Sequence, residues 1–98
     1  MKYTKCERLE RGISKPVKVS SADDIKIPEG CRLLTYAEYA AAIKNKIIPF
    51  SEDWIEYCSW KGEIRAVWLY GNTDRFSLNC YDDPIGSYGR ARRVRFTI

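Results

Sequence analysis

The segment that most constrains this chain is Leu34-Thr35-Tyr36-Ala37-Glu38-Tyr39. Thr-x-x-Glu is the spacing of a capping box: the threonine hydroxyl accepts from the amide three residues on, and the glutamate carboxylate reaches back to the threonine amide. Leu34 and Tyr39 stand at the two positions of a hydrophobic staple across that cap. Ala37, Ala40, Ala41 and Ala42 favour helix. Tyr36, Ala40, Ile43 and Ile47 fall at helical spacing as an apolar stripe. Lys44 and Lys46 suit the negative end of the helix dipole, and Pro49 cannot continue the element. The pattern predicts one main helix over about 36–46.

Around it the chain reads as β-structure. Lys2–Cys6 and Lys15–Ser20 are short candidate strands, the second with Val17 and Val19 at period two. Ser20–Asp24 is turn-like, and Ile25-Lys26-Ile27 alternates until Pro28. Ser51-Glu52-Asp53-Trp54 resembles the start of another short helical turn, with Trp54, Tyr57 and Trp60 following at three-residue spacing. Ile64–Tyr70 and Phe76–Tyr81 form a predicted hairpin around Gly71–Asp74. After the turn-rich loop 82–89, Val94, Phe96 and Ile98 alternate with Arg93, Arg95 and Thr97. The expected fold is α+β: a small antiparallel sheet of three strands from the last third, one main helix packed on it, and the N-terminal strands beside it. At 98 residues, with 45% apolar and 13% aromatic content, residues 1–98 form a single domain with a core rich in rings.

Charge is distributed unevenly. Lys and Arg total 17 against 13 Asp and Glu, and Arg90, Arg92, Arg93 and Arg95 account for the whole excess of +4. Two uses fit such a strand. The arginines can form an anion-binding strip, with Tyr81 and Tyr88 near in sequence as stacking rings. They can equally cover the open face of the sheet and pair with acids there. Asp82 and Asp83 are adjacent acids beside a proline, which is a turn before it is a catalytic pair. With no histidine, no P-loop and no dinucleotide fingerprint, the familiar catalytic constellations are missing.

Cysteines at 6, 31, 58 and 80 lack the close spacing of a zinc site, and no metal or cofactor is expected. They are expected to be reduced thiols. No apolar run approaches the ~18 residues of a membrane span, and the charged start of the chain is unlike a signal peptide. The expectation is a soluble, cytoplasmic protein without membrane contact.

Gly30-Cys31-Arg32-Leu33-Leu34-Thr35-Tyr36-Ala37-Glu38-Tyr39 resembles the G-x-R-L-P-T-x-x-E-[WFL] signature of bacterial C-type-lectin-like domains, among them the formylglycine-generating (sulfatase-modifying) type and small bacterial and phage domains that share its core. Ala66–Tyr70 resembles that family's core strand, and Ala91–Phe96 its closing [AV]-R-x-V-R strand. The resemblance covers residues 28–98 and implies a truncated C-type-lectin-like fold. It does not imply the enzyme activity, because the paired active-site cysteines have no counterpart at matching positions. The Glu-Pro-Asn tripeptide of calcium-dependent sugar binding is missing as well. The resulting expectation is a non-catalytic binding module with a protein partner. The alternative is a nucleic-acid-binding domain that uses the arginine strand. The candidate binding residues are Tyr81, Asp82, Asp83, Tyr88, Arg90, Arg92, Arg93 and Arg95.

Overall fold

The computed structural model describes residues 12–71, 76–81 and 90–98, the stretch 76–81 by its backbone. It is an α+β domain with one α-helix and a small mixed sheet among the described residues. The strands are β1 (Val17–Val19), β2 (Arg32–Leu33), β3 (Trp54–Trp60), β4 (Glu63–Gly71), β5 (Phe76–Tyr81), β6 (Ala91–Val94) and β7 (Phe96–Thr97). The helix, α1, is Tyr36–Lys44. The expected strand at Lys2–Cys6 lies outside the described residues.

The cap forms as its spacing requires. Thr35 Oγ1 accepts from the Glu38 amide at 3.1 Å, and Glu38 Oε1 accepts from the Thr35 amide at 2.9 Å. Leu34 and Tyr39 meet in one core cluster, as a staple should. A third partner was not read from the sequence: Arg32 grips Glu38 with both terminal nitrogens, at 2.7 and 2.8 Å. That fork lets the carboxylate sit at 2% exposure. The buried face of the helix is Glu38, Tyr39, Ala42 and Ile43, with Tyr36, Ala41 and Ile47 packed on its margins; Ala40, expected in the stripe, is not part of that core. The helix ends at Lys44, ahead of Pro49. Both the backbone and side-chain amides of Asn45 donate to the Ala41 carbonyl, and Lys46 turns left-handed at φ 61°.

The Arg32 guanidinium and the Thr35 amide hold the Glu38 carboxyl down at about 2, against the opposing pull of burial. A carboxyl depressed in the folded state stabilises above its ordinary value near 4.5 and loses that contribution as pH falls toward 2. The thermal midpoint of the wild-type chain should therefore drop across pH 4.5 to 2. Glu38→Gln should start lower at pH 7 and fall less steeply; parallel curves for the two proteins would contradict the assignment.

The sheet differs from expectation in two ways. The short helical turn expected to start at Ser51–Trp54 does not form: the strand β3 begins at Trp54 and runs to Trp60. Ile55 and Tyr57 face one side of it, Glu56 and Cys58 the other, and all four are buried. The three-residue ring spacing is incidental, since Trp54 and Trp60 share a face that Tyr57 does not. The sheet is also mixed, with strand order β1-β6-β3-β4-β5. β6 enters between β1 and β3, antiparallel to the first and parallel to the second, with Glu56 opposite Arg93 and Tyr57 opposite Val94. The expected β4–β5 hairpin is present, with Leu69 opposite Leu78. The closing strand is not its neighbour: β5 and β6 run in the same direction with β4 and β3 between them.

Both faces of this sheet are covered. Helix α1, Leu34 and Ile48 pack on Cys58, Val67 and Leu69. On the reverse, Ile55, Tyr57, Ala66, Trp68 and Val94 meet Leu33 and Phe96, with Val19, Ala22, Ile25 and Cys31 closing over them. Ile25–Ile27, where apolar and polar residues alternate, follows the 3₁₀ turn Ala22–Asp24 as irregular chain, with Ile25 packed on this second core. β2 pairs with β7, Leu33 opposite Phe96, so the lead-in to the helix and the chain's last strand are bonded directly. Ser14 clamps the same place, donating its amide to the Phe96 carbonyl and accepting the Phe96 amide at its hydroxyl, each at 2.9 Å.

Candidate functional site

The four C-terminal arginines do not form one patch. Strand alternation divides them. Arg93 and Arg95 point to the helix face, where the expected solvent-covered surface is instead interior: they are 9% and 5% exposed. The cause is Glu56, fully buried on β3 directly opposite Arg93. Its Oε1 accepts from Arg93 Nε at 3.0 Å and from Arg95 Nη1 at 2.7 Å. The Arg93 guanidinium also lies over the Trp54 ring, 5.0 Å from its centroid. Burial pushes the Glu56 carboxyl up, while Arg95 and Arg93 pull it down. Burial, together with the Glu56 charge, raises the Tyr39 hydroxyl well above its usual range. Glu56 Oε2 has no hydrogen-bond partner among the described residues.

Arg92 takes the other face, opposite Ile55 and Val19, and is half-buried there; its Nη1 donates to the Arg90 carbonyl at 3.4 Å. Arg90 precedes β6 and stacks over the half-exposed Tyr70, 5.7 Å from its centroid. Tyr81 closes β5 opposite Ala66, whereas Arg90 lies beyond the Trp54–Ala91 pair, at the Gly71 end of the sheet. Those levels are four residues apart along β4, from Ala66 to Tyr70, roughly 13 Å. Tyr81, on the edge strand, and Arg90, just before the inner strand β6, therefore stand at different levels of the sheet. Asp82, Asp83 and Tyr88 lie outside the described residues.

A second arrangement, not singled out by the sequence reading, sits at the turn between β3 and β4. Lys61 (φ 52°) and Gly62 (φ 81°) make a two-residue turn with both residues left-handed, the tight type I′ geometry that matches strand twist. It places Trp60 at the tip, 38% exposed. Tyr36 backs the indole at 6.3 Å, and Lys61 and Arg65 lie over it at 5.0 and 5.4 Å. Arg65 also pairs with Glu63 at 2.8 Å. On the opposite face of the same tip, Ile64 and Ile27, 44% and 49% exposed, line a groove of about 240 Å³ floored by Leu33, with Thr35 and Ser59 as polar wall. The Lys-Gly pair at 61–62, between two runs of strand-forming residues, was the available signal. The helical turn expected from Ser51–Trp54 hid it.

Among the described residues, no group of three or more Cys, Asp or Glu side chains is placed to hold a metal ion. Cys31 is half-buried and Cys58 buried, both as thiols outside any disulfide. No helix among the described residues is long and apolar enough to cross a membrane. No protein-family model, curated protein or solved structure matches the chain.

Proposed function

We propose that this chain is a non-catalytic binding module for a protein partner, built on a trimmed C-type-lectin-like frame. The kinship rests on the Gly30–Tyr39 signature and on the capped helix it introduces. The observation that carries the binding role is the exposed apolar surface around the β3–β4 turn, where Ile27, Trp60 and Ile64 are each more than a third exposed on a small domain. A tryptophan flanked by cations on a rigid turn is the composition of interaction hot spots, which favour Trp, Tyr and Arg. A photo-reactive phenylalanine analogue at position 60 or 64 should yield one discrete protein adduct in the native host, competed away by excess unlabelled chain, while the same probe at Lys44 yields none. Equal labelling at all three positions, alongside turnover of a substrate by the purified chain, would reverse the reading.

The nucleic-acid alternative draws on Arg90, Arg92, Arg93 and Arg95. Two of these are already engaged by Glu56 inside the fold, which leaves little cationic surface for phosphates. A single-stranded oligonucleotide should bind no tighter than about 10⁻⁴ M at low salt, with a shallow salt dependence. Tighter, steeply salt-dependent binding that is lost in Arg90→Ala/Arg92→Ala would restore the alternative.

A further inference from the structure

We infer that Glu56 Oε2 is the binding site of an internal water molecule, a neutral hydrogen-bond donor that completes the buried cluster of Glu56, Arg93 and Arg95. The two buried acids of this fold are satisfied in different ways. At Glu38 both oxygens are used: Arg32 Nη1 donates to Oε1 and Arg32 Nη2 to Oε2, at 2.7 and 2.8 Å, and the Thr35 amide adds a second bond to Oε1 at 2.9 Å. At Glu56 two guanidiniums converge on a single oxygen. Arg93 Nε and Arg95 Nη1 both donate to Oε1, at 3.0 and 2.7 Å. Oε2 is buried with no partner among the described residues, on a residue that is 0% exposed. A guanidinium carries several N–H donors, so either arginine has the means to fork onto Oε2 as Arg32 does at Glu38. Neither does. A carboxylate oxygen left bare in the interior carries its full desolvation penalty, and proteins meet such groups with ordered water.

Charge decides what kind of molecule fits. Two guanidiniums against one carboxylate leave the cluster at a net +1, so a further cation is repelled. An anion would be set directly against a carboxylate oxygen. An apolar group has no proton to donate to it. A small neutral donor remains, and with Glu56 fully enclosed it must be of water's size to enter through the motions of the fold. Water also accepts, which suits the guanidinium N–H groups that do not face Oε1. Tyr39 brings a hydroxyl toward the same cluster from helix α1: besides burial, the charges of Glu56, Cys58, Arg93 and Arg95 all act on it. Internal waters typically make about three hydrogen bonds, and Oε2, a guanidinium and the Tyr39 hydroxyl are the groups that would supply them.

Water-selected NOE and ROE spectra of the isotope-labelled chain, detected on the arginine side chains, test this. Arg93 Nε–H should show a cross-peak at the water frequency with opposite signs in the two spectra, the mark of a bound molecule and not of proton exchange. The peak should persist in Tyr39→Phe, which removes the neighbouring hydroxyl proton as another source. Relaxation dispersion of the water oxygen should lose the contribution of one long-lived molecule in the triple variant Glu56→Leu/Arg93→Met/Arg95→Met and keep it in Tyr39→Phe. The spectra are recorded on the wild-type chain, so they decide the matter even if the triple variant fails to fold. No cross-peak at Arg93, a peak that vanishes in Tyr39→Phe, or a dispersion undiminished in the folded triple variant overturns the inference.

Discussion

Glu56→Ala is expected to cost about 3–5 kcal/mol of folding free energy, the usual penalty for stripping one partner from a buried ion pair. The variant leaves Arg93 and Arg95 interior, one opposite the vacated position and one a step beyond, with no counter-ion and no means of losing a proton. Domains of this size have about 5–15 kcal/mol in total, so roughly a fifth or more of the stability disappears. In urea, with a slope of about 1–3 kcal/mol per molar, the midpoint should fall by roughly 2 M. A shift below about 0.5 M would mean that the arginines find solvent when released. The control is replacement of the whole cluster, Glu56→Leu with Arg93→Met and Arg95→Met. Apolar side chains of similar volume satisfy the same space without desolvated charge, so the triple variant should recover most of the loss.

Tyr57→Ala is the second large effect. Tyr57 is 1% exposed at the middle of β3, on the face away from the helix, where it packs with Ala66, Val94 and the rest of the second core. Removing a fully buried ring typically costs about 3–5 kcal/mol through lost burial and the cavity that remains. For a domain this small, each 1 kcal/mol moves the thermal midpoint by about 4–8 °C, so a drop of roughly 15 °C or more is expected. Tyr70→Ala, thirteen residues on and 44% exposed, should stay within about 0.5 kcal/mol. If the two variants behaved alike, the far face of the sheet would not be a core. The pair separates a sheet buried on both sides from the one-sided sheet that the sequence suggests.

The contrast between these residues shows where sequence reasoning reached and where it stopped. Local chemistry was readable. Thr35 and Glu38 announce a helix start within one turn of chain, and the alternations in Phe76–Tyr81 and Ala91–Thr97 are strand patterns no helix would bury. β3 was missed because its rings recur every three residues, whereas its side chains alternate between two faces that are both buried, so burial itself shows no period of two. The parallel β3–β6 pairing was out of reach for another reason. It joins residues 37 apart through contacts whose register depends on tertiary packing, and nothing local encodes it. Buried acids were invisible on the same grounds. Glu38 and Glu56 look like surface residues until Arg32 on one side and Arg93 and Arg95 on the other are brought against them. That pairing also takes two arginines of the chain's most conspicuous charge feature, Arg93 and Arg95, into the interior. The tip at Trp60 carries less charge and more exposed apolar surface.

Arg93 and Arg95 are internal counter-ions of Glu56, and side-chain NMR of the arginine Nε–H groups tests this most directly. With both held at 3.0 Å or less from one buried carboxylate, by Nε in Arg93 and by Nη1 in Arg95, their Nε–H signals should exchange slowly with water, persist at neutral pH and move together in Glu56→Gln. Signals that broaden away at neutral pH as rapidly as those of exposed arginines, and ignore the Glu56 substitution, would place the two guanidiniums in solvent and contradict the architecture described above.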